Sequence, residues 1–132
     1  MRTVVFDSSA LLAHFLGEKG GAEVKGIFVQ AKRRETRICM SAVNLAEVIC
    51  IAARRRGRAA VKGFLEWLSQ LPVTIVPADQ SLAIAAGLLK EQRGIPYGDC
   101  FATALAHRLG AAVVTRDPDF EKVQDVVKVT WI

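Results

Sequence analysis

Short apolar runs alternate with amphipathic stretches along the whole chain. Val4, Val5 and Phe6 form a buried-strand run that stops at Asp7, and residues 10–16 read as a short helix capped by Asp7 or Ser8. Val24, Ile27, Phe28 and Ala31 recur at helical spacing, which predicts a helix over residues 22–33 after the break at Gly17, Gly20 and Gly21. Residues 37–40 form a second strand. Ser41 then caps a long helix running through Arg56, with Leu45, Val48, Ile49 and Ala52 on its core face and Gly57 at its end. A further helix spans residues 58–71. Pro72 and Pro77 bracket the apolar run 73–76, which predicts a strand buried on both faces.

Asp79 or Gln80 starts the next helix, which closes near Gly94, and Pro96, Tyr97 and Gly98 predict a turn. Residues 99–109 carry Phe101, Ala102, Leu105 and Ala106 at helical spacing, and Gly110 ends that helix. A fourth strand over 112–115, a short helical turn over 117–122 and a fifth strand over 126–131 complete the pattern. Strands alternating with helices predict a three-layer α/β/α fold around a mainly parallel, roughly five-stranded sheet.

Composition narrows the class. The 132 residues, 52% of them hydrophobic, suit a single domain over residues 1–132 and exclude a disordered tail. No apolar run reaches the roughly 18 residues of a membrane span, and the run after Arg2 meets Asp7 too soon for a signal peptide. A cytoplasmic protein with no membrane association is expected. Cys39, Cys50 and Cys100 are odd in number and too far apart for a zinc or redox motif, so they read as reduced, mostly buried thiols.

A net charge of +5 favours a polyanionic partner. Its distribution is more informative. Lys32, Arg33 and Arg34 form one cluster and Arg54, Arg55, Arg56 with Arg58 another, both at predicted helix ends. Such clusters either offset the helix dipole or contact phosphates.

In an open parallel sheet, ligands collect beyond the carboxyl ends of the strands, and here acids stand there. Asp7 follows the first strand and Asp117 the fourth, so a sheet that reverses direction between those two strands brings both carboxylates to one crevice. Each has an ordinary use as well: Asp7 as a helix cap, Asp117 before Pro118 as another, and Asp99 in a first helical turn. Glu47 is harder to explain away. It lies mid-helix among Leu45, Ala46, Val48 and Ile49, where an acid is half-buried and needs a partner, and Asn44 stands one turn earlier to orient it. Thr103 likewise lies one turn after Asp99.

Four segments together carry a resemblance. Asp7-Ser8-Ser9-Ala10-Leu11-Leu12, Asn44-Leu45-Ala46-Glu47-Val48, Tyr97-Gly98-Asp99-Cys100-Phe101-Ala102-Thr103-Ala104 and Val114-Thr115-Arg116-Asp117-Pro118-Asp119-Phe120 resemble, in order and spacing, the motif blocks of PIN-domain ribonucleases. Within that family they are most similar to the VapC toxins of toxin–antitoxin pairs. The resemblance implies that Asp7, Glu47, Asp99 and Asp117 form an acidic cluster holding Mg²⁺ or Mn²⁺, supported by Ser9, Asn44 and Thr103. Oxygen-only ligands suit those hard cations, and the absence of His from the blocks speaks against zinc.

The resemblance also implies RNA cleavage leaving a 3′ hydroxyl and a 5′ phosphate, a homodimer, and an antitoxin protein seated in a groove near Leu11, Leu12, Phe15, Leu16, Ile27 and Phe28, residues whose ordinary role is core packing. An acid cluster repels RNA, so basic surroundings are needed, and Arg116, Arg54, Arg55 and Arg56 are the candidate RNA contacts. Asp119 reads better as an anchor of the helical turn than as a ligand, and His14 and His107 lack ligand-spaced partners. The alternatives are a PIN nuclease of RNA maturation or decay without an antitoxin, and a catalytically silent binding scaffold. A haloacid-dehalogenase-type phosphoryl transferase would need a second Asp where Ser9 stands, and a receiver domain would need a Lys after the fourth strand.

Overall fold

The computed structural model describes residues 1–132. Its elements run β1 (Arg2–Phe6), α1 (Ser8–Phe15), α2 (Gly21–Lys32), β2 (Thr36–Ser41), α3 (Ala42–Arg56), α4 (Ala59–Ser69), β3 (Val73–Val76), α5 (Gln80–Arg93), α6 (Tyr97–Leu109), β4 (Ala112–Thr115), a 3₁₀ turn (Pro118–Val123) and β5 (Val129–Trp131). Five parallel strands stand in the order β3-β2-β1-β4-β5. The chain works outward from β1 to β3, then returns to lay β4 on the other side of β1. That reversal makes the β1/β4 boundary the switch point where an open parallel sheet gathers its ligands.

Strand alternation separates two cores. Val4 and Phe6 of β1, with Ile38, Met40 and Val114, pack with residues of α1, α2 and α4 on one face of the sheet. Val5, Cys39 and Val113 pack with residues of α5, α6 and the 3₁₀ turn on the other. This is the expected α/β/α layering, and β1, paired on both sides, is its centre. Aromatic residues close the first core at its rim, where Phe15 meets Phe64 at 4.8 Å between ring centroids and Trp67 at 5.2 Å. His14 stacks on Trp67 at 5.7 Å, so it is a packing residue. Cys39 and Cys100 are buried as expected, whereas Cys50 is exposed on α3.

Three local expectations need correction. The run Val73–Val76 is an edge strand with β2 as its only neighbour, so its residues are half-buried or exposed and not covered on both faces. Tyr97 and Gly98 do not form a turn. Pro96 takes the extended N-cap position with φ −57° and ψ 151°, and α6 begins at Tyr97, so Gly98 and Asp99 lie buried in its first turn. Residues 126 and 127 stay out of β5 because both amides donate to the carbonyl of Val123, which prolongs the 3₁₀ turn and withholds them from the ladder.

Caps hold the helix starts at the carboxyl edge of the sheet. Asp7 accepts from Ala10 N at 3.0 Å, Ser41 from Val43 N at 3.2 Å and Asp79 from Leu82 N at 2.8 Å. Asp79 also receives both guanidinium nitrogens of Arg108, and together these donors hold its carboxyl below the usual range. Replacing it tests the cap on its own, away from the acid cluster. Asp79→Ala is expected to cost about 1 kcal/mol in urea denaturation at neutral pH.

Candidate active site

The switch point carries three acids from three elements. Asp7 follows β1, Asp117 follows β4 as N-cap of the 3₁₀ turn, and Asp99 comes up from α6. One carboxylate oxygen of each lies within 4.8 Å of the others, with Asp7 and Asp99 buried and Asp117 half-buried. This is the only such group of potential metal-binding side chains in the chain.

Hydroxyls fix the Asp7 carboxylate. Thr115 Oγ1 donates to its Oδ2 at 2.6 Å, and Ser9 Oγ donates to its Oδ1 at 2.7 Å. Thr115 Oγ1 also accepts from Asp117 N at 2.9 Å, and Ser9 Oγ accepts from Arg116 N at 3.1 Å. Two short polar side chains therefore tie the end of β1 to the end of β4. Thr115, buried at the last position of β4, stands in the fourth motif segment but has no role assigned to it from sequence. Its placement immediately after the apolar run 112–114 and two residues before Asp117 is the signal that would have found it.

Glu47 stands beside the triad, on the second turn of α3. Asn44 Nδ2 donates to Glu47 Oε1 and to the carbonyl of Gly98, both at 3.0 Å, so one buried amide holds the acid and joins α3 to the first turn of α6. Gly98 is what admits this acid: a Cβ there would overlap all three atoms of the Glu47 carboxylate. Thr103 is fully buried, and its hydroxyl donates to the backbone carbonyl of Asp99 at 2.8 Å. It steadies the helix one turn on from Asp99 and does not bond the carboxylate.

The cluster is electrostatically incomplete. Burial raises Asp7 from the ordinary 3.8 to about 6 against the downward pull of Thr115, Ser9 and the Ala10 amide, and the charge of Asp117 adds to the rise. Asp99 is pushed up to about 8, first by desolvation, then by the charge and close approach of Asp117, and further by Asp7 and Glu47. No donor reaches Asp99 Oδ2, which is buried. Carboxylates crowded in this way either retain protons or share a cation. The donor set, all oxygen with one buried oxygen unpartnered, fits a hard divalent cation such as Mg²⁺ or Mn²⁺.

Stability should report the same incompleteness. Both acids bind a proton more tightly in the folded chain than in the unfolded one, so between about pH 4 and about pH 8 the folded state holds more protons and its stability falls as pH rises. In EDTA the melting temperature is expected to rise when pH is lowered from about 8 to about 5. Millimolar Mg²⁺ should stabilise most at the alkaline end, where bound protons no longer compete. Thermal melts followed by circular dichroism across that range check both signs.

The candidate arginines are placed differently from one another. Arg116, whose amide meets Ser9, turns its guanidinium to Glu18 at 3.0 Å and to the carbonyl of Lys19 at 3.1 Å. Glu18 also pairs with Arg55 at 3.3 Å, and Arg56 lies over the ring of Phe15 at 5.5 Å. Arg54 is exposed and has no carboxylate partner.

Residues 4–126 match the PIN domain family model, and the chain belongs to that family. It is 28% identical over 133 residues, covering 96% of this chain and 99% of the relative, to ribonuclease VapC of Mycolicibacterium smegmatis. In fold it is similar to the DNA-bound VapBC of Salmonella typhimurium, with a TM-score of 0.77 at 17% identity over 99% of this chain and 98% of that one. It is also similar to VapC20 of Mycobacterium tuberculosis, a toxin that cleaves the sarcin–ricin loop, with a TM-score of 0.71 at 18% identity over 89% and 92% of the two chains. The fold class and the family expected from the four motif blocks are thus both found.

Proposed function

We propose that this chain is a Mg²⁺- or Mn²⁺-dependent endoribonuclease and the toxin of a toxin–antitoxin pair, working in the cytoplasm as a single PIN-like domain. The observation that carries the reading is the meeting of Asp7, Asp99 and Asp117 within 4.8 Å around a buried, unpartnered Asp99 oxygen. Its support beyond the site is the PIN family match and the likeness to ribonuclease VapC.

Asp7, Asp99 and Asp117 would hold the cation, with Glu47 at the edge of the group. When bound, it supplies positive charge that polarises the phosphodiester and acidifies a water for attack. The protein's own part is preorganisation. Ser9 and Thr115 fix the plane of Asp7, Asn44 holds Glu47, and the Asp117 carboxylate accepts from the Asp119 amide, so these three acids are oriented before substrate arrives, while Asp99 keeps an oxygen free for the cation. Burial keeps bulk water from solvating these acids, which strengthens their hold on a cation and their repulsion of a bare phosphate. RNA then enters with its charge offset by the candidate arginines, Arg54 with no carboxylate partner, Arg56 over Phe15, and Arg116 and Arg55 through the net positive charge they keep while sharing Glu18.

The partners follow the same reading. Ile84 and Leu88, each 57% exposed on α5, give a homodimer an apolar patch to cover. Leu11, Leu12, Ile27 and Phe28 are core residues, and Phe15 and Leu16 are the part of the predicted groove left half-exposed for an antitoxin segment.

The test is metal removal. Purified protein incubated with total RNA is expected to cut it in Mg²⁺ or Mn²⁺, to lose all cutting in EDTA, and to regain it when the cation is restored in excess. Sequencing adaptors that require a 5′ phosphate should capture the new ends directly. Cleavage that continues in EDTA, or ends that need phosphorylation before capture, would overturn the metal-dependent reading.

A further inference from the structure

Between α3 and α4, on the outer side of the helix that carries Glu47, lies an open cleft of about 580 Å³ lined by Ile49, Cys50, Ala53, Arg54, Arg58 and Val61. Its volume is within the range of roughly 300–1,000 Å³ typical of small-ligand sites. Its floor is apolar and its rim carries two exposed guanidinium groups. Arg54 and Arg58 have no carboxylate partner, unlike their neighbour Arg55, which pairs with Glu18. Two desolvating apolar walls beneath two uncommitted cations suit a ligand with a flat apolar part and a strong anion.

The cleft reaches toward the acid site along α3 through Arg54. Cys50 lies one turn after Glu47 on α3 and Arg54 seven residues after it, just under two turns, so these two share its side of the helix, while Ile49 and Ala53 are turned more than a quarter of the circumference away and line the cleft beyond them. The rise from Glu47 to Arg54 is about 10 Å, a distance that single-stranded RNA covers in one or two nucleotides. We propose that this cleft is a subsite for a nucleotide flanking the cut: its phosphate rests on Arg54 and Arg58, and its base lies on Ile49, Ala53 and Val61. The proposal rests on the ribonuclease reading and adds to it where a second part of the substrate is held.

Three measurements test it. Fluorescence anisotropy with a labelled single-stranded 12-mer RNA in EDTA reads binding apart from cleavage. The Arg54→Ala/Arg58→Ala variant is expected to bind about tenfold more weakly, and its plot of log affinity against log salt should be shallower by about 1.4, two phosphate contacts at ~0.7 each. Arg33→Ala/Arg34→Ala, at the other basic cluster, should leave both quantities as in the parent. In Mg²⁺ the cleft variant should raise KM on the 12-mer with kcat unchanged. Cys50 is the one exposed thiol, so the same RNA should also slow its alkylation by N-ethylmaleimide in the parent protein.

The outcomes separate. A parent protein that neither binds nor cuts RNA ends the ribonuclease reading, and the subsite with it. A parent that does both, with the cleft variant or Cys50 alkylation unaffected, ends the subsite alone. Equal losses from the two arginine pairs mean diffuse charge attraction and also overturn it. A dimer by light scattering that the cleft variant splits, with RNA affinity unchanged, identifies the cleft as a contact between two copies of this chain.

Discussion

Asp99→Asn is expected to remove RNA cleavage, by on the order of a thousandfold or more, while raising the melting temperature of the metal-free protein. The two effects have one cause. Asp99 sits in the first turn of α6, buried, with three other acids acting on it and no donor to its Oδ2. An amide there is neutral, so it relieves the desolvation and repulsion that push the carboxyl up to about 8, and its NH₂ group can donate to Asp117. The same neutrality removes a ligand charge. Calorimetric titration should show weakened Mg²⁺ binding, and added Mg²⁺ should no longer stabilise the fold. Asp7→Asn should act in the same direction but gain less stability, because Asp7 already accepts from Ser9, Thr115 and the Ala10 amide, and an amide nitrogen satisfies those donors poorly. A metal-free Asp99→Asn protein that melts below the parent would contradict the crowding argument. One that cuts RNA at the parental rate would contradict the site.

Gly98→Ala should lower activity about tenfold to a hundredfold with little loss of stability. The new methyl group would occupy the volume of the Glu47 carboxylate. That carboxylate ends a flexible stem at a half-buried position, so it swings away and the backbone stays, breaking its bond to Asn44. Because the damage passes through Glu47, Gly98→Ala made in a Glu47→Ala background should cost almost nothing further, a non-additivity that a double-mutant cycle measures. If the two losses simply add, Gly98 acts through something other than admitting this acid.

Short-range patterning in the chain encodes part of this site, and contacts between distant segments encode the rest. Caps and strand runs are local, so Asp7, Ser41 and Asp79, the alternation in β1 and the pattern of helices were all legible. For Asp7 and Asp117, capping and membership of an acid cluster compete as readings of the sequence, and the structure shows caps that also converge with Asp99: Asp7 Oδ1 accepts from Ala10 N while its Oδ2 accepts from Thr115, and Asp117 Oδ1 accepts from Asp119 N. The half-burial of Glu47 and its Asn44 partner followed from helical spacing alone. What stayed hidden depends on distant approach. Nothing near Gly98 in sequence says that an acid 51 residues earlier lies against it, and a Pro-Tyr-Gly run reads locally as a turn. Nor does Arg116 announce that Glu18 holds its guanidinium. The edge position of β3 was likewise invisible, because an apolar run has the same composition whether one neighbour or two will cover it.

The hydrogen bond from Thr115 to Asp7 spans 108 positions, and the triad draws on residues 7, 99 and 117. No early portion of the chain holds a complete site, and the parallel pairing of β1 with β4 that assembles it closes late because so long a loop must be closed first. The acid triad is therefore incomplete in a nascent chain until residue 117 has left the ribosome and folded back onto the first strand.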